Sequence, residues 1–357
     1  MSELRALTER LVSIPSHDDE TAAGDAIEDW LREHTDADVH RDEAGNVRAW
    51  RASENSGESL AFVGHHDVVP PDDSQVTENG AFVVAERDDR LYGRGTADMN
   101  GAVAAMLLAF RDADPERPLG FASFVGEETG GAGARHARSD GFDPDWAVVG
   151  EGSTGYSADG VLDVAVAHKG RRASTLTAAG ASAHASEPEA GENAVYRAAD
   201  AVDAVRDLDA PTADVLGESV SGSVAVTEIA GGTAWNVIPD ECTITVDERT
   251  VPGERAALDR VEDLPGMSWT VDQDLPPMAC SSDRLADRAL SAVREAQDGD
   301  GEHVVKPHAT DAGWLADAGV ACVVCGPAEP GEAHTETESV SLSVLRRCRD
   351  AYERLAA

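Results

Sequence analysis

Apolar residues along this chain follow two rhythms. In four places a short continuous run stops at a glycine and hands over to chemically active side chains. Leu60–Val63 leads into Gly64-His65-His66-Asp67, Leu119–Val125 into Gly126-Glu127-Glu128, and Trp146–Val149 into Gly150-Glu151. Val320–Cys325 leads into Gly326-Pro327, with His334 a little further on. Runs of this length, bounded by glycine or proline, predict strands buried on both faces. Elsewhere apolar positions recur every three or four residues, at Leu4, Leu7 and Leu11 and through Thr21–Glu33 and Arg284–Ala296, which predicts helices, and the long continuous apolar run within Ala102–Arg111 reads as a buried helix. A turn at Gly45-Asn46 introduces a further strand ending near Trp50. Strands alternating with helices predict an α/β domain, a mostly parallel sheet covered by helices, with ligand sites beyond the strands' carboxyl ends.

Between Lys169 and Pro276 the texture changes. Ala173–Ala178, Ser223–Ile229, Cys242–Val246 and Met267–Val271 read as strands, with helical spacing in Glu192–Leu208 and Glu254–Leu264. The order strand, helix, strand, strand, helix, strand predicts a small α+β (ferredoxin-like) sandwich with an antiparallel sheet. The strand and helix alternation resumes afterwards, so the expected organisation is a catalytic domain in two parts, 1–169 and 277–357, interrupted by an inserted domain, 170–276.

Charge narrows the choice of partners. The 357 residues carry 68 acidic and 29 basic side chains, a net charge of −39, and the only lysines are Lys169 and Lys306. Such a surface repels nucleic acid and anionic lipid. No apolar run approaches the length of a membrane span, and the amphipathic start does not resemble a secretion signal, so a cytoplasmic protein is expected. The acidity is spread through the whole chain, as in proteins adapted to high salt. Self-repulsion then destabilises the fold unless it is screened. We expect unfolding in dilute buffer and recovery in molar potassium chloride; a melting temperature indifferent to salt would contradict this. The five cysteines, an odd number, are expected to be free thiols. Cys322 and Cys325 stand three apart in a predicted strand, hence on opposite faces, where core packing explains them better than metal binding.

The candidate chemistry lies at the strand ends. Asp98, between Gly93-Arg94-Gly95 and the apolar stretch from Ala102, reads by itself as a helix start, where an acidic residue meets the positive end of the helix. Taken with His65, Asp67, Glu127, Glu128, Glu151 and His334 it suggests more. Histidines and carboxylates without thiolates suit zinc, cobalt or manganese in a hydrolytic site, and one carboxylate can bridge two ions. No glycine-rich dinucleotide fingerprint is present, which disfavours an oxidoreductase.

Five segments resemble, in order, the motifs of the M20 metallopeptidases: Gly64–Pro70, Tyr92–Gly101, Gly126–Gly131, Val149–Ser153 and Glu332–His334. The resemblance implies a dinuclear amide hydrolase with zinc, or else cobalt or manganese. It implies that His65, Asp98 and Glu151 hold one ion, that Asp98, Glu128 and His334 hold the other, and that Asp67 orients His65. Glu127 becomes the general base, and the inserted domain becomes a lid that also pairs two subunits into a homodimer. Within that domain Gly180–Ala185 looks like the family's histidine motif, which makes His184 an oxyanion donor. Asn236 and Arg249 become contacts for a substrate carboxylate. Gly152 and Asn100 depart from the residues commonest there, proline and lysine, which leaves the ligands intact and the substrate open. The substrate implied is an N-acylated amino acid, with N-succinyl-LL-2,6-diaminopimelate placed ahead of N-acetylornithine and a dipeptide or peptide third. A non-catalytic member is disfavoured, because every ligand and the base are present.

Overall fold

The computed structural model describes residues 3–52 and 57–357; the remaining six residues of the expected catalytic domain lie outside the description. Contacts divide the chain into two compact units, one of Met1–Ala167, Met278–Lys306 and Thr310–Ala357, the other of His168–Pro277 with Pro307–Ala309.

The first unit is built on a nine-stranded sheet. Its order runs Asp38–Arg41, Val47–Arg51, Leu119–Phe124, Leu60–His65, Trp146–Val149, Ala321–Val324, Val164–His168, Met278–Ala279, with His303–Lys306 also paired to Val164–His168. The four predicted apolar runs form the centre and pair in parallel. Towards the flanks Asp38–Arg41 pairs antiparallel with Val47–Arg51, Val47–Arg51 with Leu119–Phe124, and Ala321–Val324 with Val164–His168, so the sheet is mixed. Alternation along each central strand sends residues into two separate cores. Phe62, Phe121, Trp146, Val148 and Val323 join one. Ala61, Val63, Ala122, Phe124, Ala147, Val149 and Cys322 join the other. Neither face meets water, which is why these strands read as continuous apolar runs. Cys322 and Cys325 fall into different cores, and all five thiols are free and buried.

Helix Gly101–Asp112 is fully buried from Ala102 to Phe110 and packs against the C-terminal helix Leu342–Ala356. Asp98 does not begin this helix. The chain kinks there, with Asp98 in extended conformation (φ −128°, ψ 96°) and a cis bond to Met99, and the helix starts three residues later. Glycine makes room for the kink. A Cβ at Gly64 or Gly150 would stand 2.8 Å from the Met99 methyl, so a larger residue at either strand end would require the Met99 side chain beside Asp98 to shift.

The second unit is an antiparallel four-stranded sheet in the order Ser223–Gly231, Glu241–Thr250, Gly170–Ala179, Met267–Leu275. Helix Ala194–Arg206 covers one face through Ala198 and Ala201 against Leu176, Ala178, Ile244 and Val246. The predicted second helix shrinks to a short 3-10 segment, Leu258–Asp263. Side chains claim the backbone ahead of it: Glu248 accepts the Ala256 N–H (2.8 Å), and Arg172 donates to the Ala256 carbonyl (2.8 Å). A hairpin of Thr212–Val215 and Glu218–Ser221 was not predicted. Among the described residues no helix is long and apolar enough to cross a membrane.

Candidate metal centre

The carboxyl ends of the parallel strands supply most of the site. His65 is the last residue of its strand, Glu127 and Glu128 follow Leu119–Phe124, Glu151 follows Trp146–Val149, and His334 lies in the loop after Ala321–Val324. Asp98 enters from the kink and faces both histidines, Oδ1 lying 3.1 Å from His65 Nε2 and Oδ2 3.1 Å from His334 Nε2. Each histidine has a second carboxylate. Glu151 Oε1 is 3.3 Å from His65 Nε2, and Glu128 Oε1 is 2.9 Å from His334 Nε2. Two donor groups result, His65 with Glu127 and Glu151, and His334 with Asp98 and Glu128, the atoms in each lying within 4.8 Å of one another.

Asp67 organises this cluster from behind. The His65 Nδ1–H donates to the Asp67 carbonyl (3.0 Å), with Asp67 Oδ1 3.3 Å away, which fixes the tautomer and leaves Nε2 turned to the site. The two oxygens of Asp67 also accept the backbone N–H groups of Glu127 (3.1 Å) and Glu128 (2.9 Å), so one side chain sets both the imidazole and the glutamate loop.

The electrostatics are those of a place built for cations. Burial disfavours an imidazolium at His65, yet Asp67, Asp98 and Glu151 outweigh it and raise its pKa well above the usual value. Hydrogen bonds to Asp98 and Glu128 raise His334 to about 10. Burial lifts Glu127 far above the ordinary carboxylate range, with Glu151, Asp311 and Asp98 adding to the effect against His65. At Asp98 burial is overcome by the two histidines and the carboxyl is lowered. Crowded carboxylates and two histidines without thiolates fit a pair of divalent zinc, cobalt or manganese ions. In the metal-free protein near neutral pH His65 and His334 hold protons, which an ion must displace. Ion uptake at pH 7 is therefore expected to release at least about two protons, and affinity to fall as pH is lowered. Titrations in buffers of different ionisation enthalpy count these protons; none released would mean the histidines are not ligands.

Supports emerge that sequence reasoning did not single out. Glu338 lies 241 residues from Ala97, whose N–H it accepts (3.0 Å), and it also accepts the N–H of Asp98 (3.2 Å) while pairing with Arg94 (2.5 Å); this trio holds the kink. Lys306 is buried with Nζ 3.0 Å from the Gly152 carbonyl and 3.5 Å from Glu151 Oε2. The carboxyl oxygens of Asp311 are buried without a hydrogen-bond partner among the described residues, and burial, with Asp67 and Glu151 nearby, raises this group to about 8. The scarcity of lysine was the one available signal for Lys306. A third histidine and carboxylate group, Asp42, His136 and Asp140, is no comparable site. Arg48 pairs with Asp140 inside it, and Asp42 Oδ1 is spent on the N–H groups of Ala44, Gly45 and Asn46.

The remaining expected residues belong to the second unit. His184 is exposed on a two-residue strand paired with Val237–Ile238, and the Asn236 carbonyl accepts the neighbouring Ala185 N–H (2.9 Å). His184 Nδ1 accepts the Ser186 N–H (3.2 Å), which leaves Nε2 as the donor in the neutral ring. Arg249 stands directly across from Arg171 in the four-stranded sheet, and both guanidiniums share Asp247, at 2.8 and 2.7 Å.

The family model of peptidase family M20/M25/M40 matches residues 61–357. The chain is 35% identical over 206 residues to the acetylornithine deacetylase of Klebsiella pneumoniae, a match covering 54% of this chain and 51% of that protein, so it spans about half the length of that relative. Over 359 residues it is 28% identical to a Mycobacterium tuberculosis protein provisionally named succinyl-diaminopimelate desuccinylase DapE, covering 98% of this chain and 96% of the other. Among solved structures, aminopeptidase PepT of Bacillus cereus superposes with TM-score 0.81 at 18% identity, covering 99% of this chain and 98% of that one. The YXEP protein of Bacillus subtilis, described as a dinuclear metal-binding peptidase of the M20 family, gives 0.73 at 16% identity, with coverage of 99% and 96%.

Proposed function

Because the chain belongs to peptidase family M20/M25/M40, we propose that it is a dinuclear hydrolase of amide bonds that releases the acyl group from an N-acylated amino acid. The observation carrying this reading is Asp98, whose two oxygens address two histidines that each keep a glutamate of their own. We assign one ion to His65, Asp98 and Glu151 and the other to Asp98, Glu128 and His334, zinc suiting these donors best. When bound, such ions polarise the scissile carbonyl and make water acidic enough to attack near neutral pH.

The chain's own groups do the rest. Glu127 takes the proton of the attacking water and later delivers it to the departing amine, so that one carboxyl serves as base and then acid. Asp67 keeps His65 in its donor tautomer and Glu127 in place through the backbone of its loop. His184, whose Nε2–H is free to donate, stabilises the developing oxyanion, while Asn236 and Arg249 take up a substrate carboxylate, arginine being suited to paired hydrogen bonds with one. These three assignments rest on the motifs of the inserted domain, to which we also assign subunit pairing into a homodimer. We place the enzyme in the cytoplasm.

For the substrate, N-succinyl-LL-2,6-diaminopimelate stands first, supported by similarity along almost the whole chain to the protein named as a desuccinylase. N-acetylornithine stands second, supported by the higher identity to a deacetylase over half the chain. Assaying succinate against acetate release from a panel of N-acyl amino acids in molar salt decides between them. Hydrolysis of dipeptides alone would overturn both, and no hydrolysis with the ions bound would overturn the deacylase reading.

A further inference from the structure

Lys306 is not among the residues assigned above, yet its ammonium reaches the donor cluster. It ends the strand His303–Lys306, is buried, and divides its contacts between the Gly152 carbonyl and Glu151 Oε2. Glu151 Oε1 is thereby left facing His65 Nε2 at 3.3 Å. One glutamate thus has two occupied sides, an ammonium on one oxygen and the donor cluster on the other.

We propose that Lys306 is a positioning residue that holds Glu151 as a one-oxygen ligand of the ion at His65. A free carboxylate can turn and offer both oxygens to one cation. Here the Gly152 carbonyl, one residue along the same loop, anchors the ammonium, and the ammonium anchors Oε2, so the carboxylate plane is set before any ion arrives. Charge points the same way. Asp67, Asp98, Glu127, Glu128 and Glu151 converge on the cluster with Asp311 buried beside them, more carboxyl groups than two divalent cations balance, so an ammonium on the outer oxygen of Glu151 lowers the excess negative charge. Of only two lysines in the chain, one is placed where a cation ordinarily opposes metal binding.

That opposition supplies a test by sign. The inference rests on the dinuclear reading, and zinc chloride titrated into metal-free protein in molar potassium chloride examines both. Wild type is expected to bind two ions. If Lys306 positions Glu151, Lys306→Met weakens one of the two about 10–100-fold, as is usual when a ligand loses its outer support, and leaves the other unchanged. Lys306→Arg restores part of the loss. Lys306→Gln, which keeps a donor for the Gly152 carbonyl, is titrated in its place should the methionine variant fail to fold, with the same weakening expected. Tighter zinc binding on removal of the ammonium would mean that Lys306 acts as a repelling charge only, and would overturn the inference. Two unchanged affinities with a lower melting temperature of the metal-free variant would make it a packing residue and overturn it equally. A wild type that binds no zinc would overturn the dinuclear reading itself, and the inference with it.

Discussion

Asp98→Ala is expected to leave the protein with neither ion held tightly and with no measurable turnover. This carboxylate is the single group addressed by both histidines, at 3.1 Å on each side, so its removal takes a ligand from each half of the centre at once. The substitution also takes one negative charge away from Glu127 and Glu128, so loss of the ions would follow from the missing ligand and not from added repulsion. Loss of His334, which is half exposed, should spare the ion at His65, whereas loss of Asp98 should spare neither. Metal content by plasma emission, measured beside turnover, checks the distinction. Two ions retained by the Asp98→Ala protein would refute the bridging role.

Glu127→Gln is expected to lower turnover by about 10²–10⁴-fold, the usual contribution of a positioned general base, while two ions stay bound. The glutamine keeps the size of the side chain and an oxygen toward the His65 group, but it cannot accept the proton of water. Asp67 should hold the loop unchanged, because its bonds run to the backbone N–H groups of Glu127 and Glu128 and not to the side chain exchanged. Turnover near the wild-type rate would remove Glu127 from the chemistry. Loss of an ion in step with activity would recast it as a ligand.

Much of this architecture was legible along the chain, for a physical reason that applies strand by strand. Leu60–His65, Leu119–Phe124, Trp146–Val149 and Ala321–Val324 are buried on both faces, and a strand so placed can hardly avoid a continuous apolar run. Helix Gly101–Asp112 is likewise apolar around its whole circumference because no side of it meets water. The active groups follow these runs directly, so they could be picked out before their spatial relation was known. In the inserted unit the helix expected over Glu254–Leu264 was largely lost, since the side chains of Glu248 and Arg172 took backbone partners that a helix would have used. Spacing along the chain carries no trace of such competition.

Amino-acid order alone therefore settled the buried strands, the central helix, the free cysteines and the five ordered motifs, because burial and local backbone preference leave their mark on neighbouring residues. Tertiary structure alone decided that Asp98 is an extended kink and not the start of a helix, that Glu338 and Arg94 brace it from 244 residues apart, and that Lys306 meets Glu151. Those contacts join segments with no periodicity in common, and a charged side chain reads the same in sequence whether it ends in water or beside a buried carboxylate.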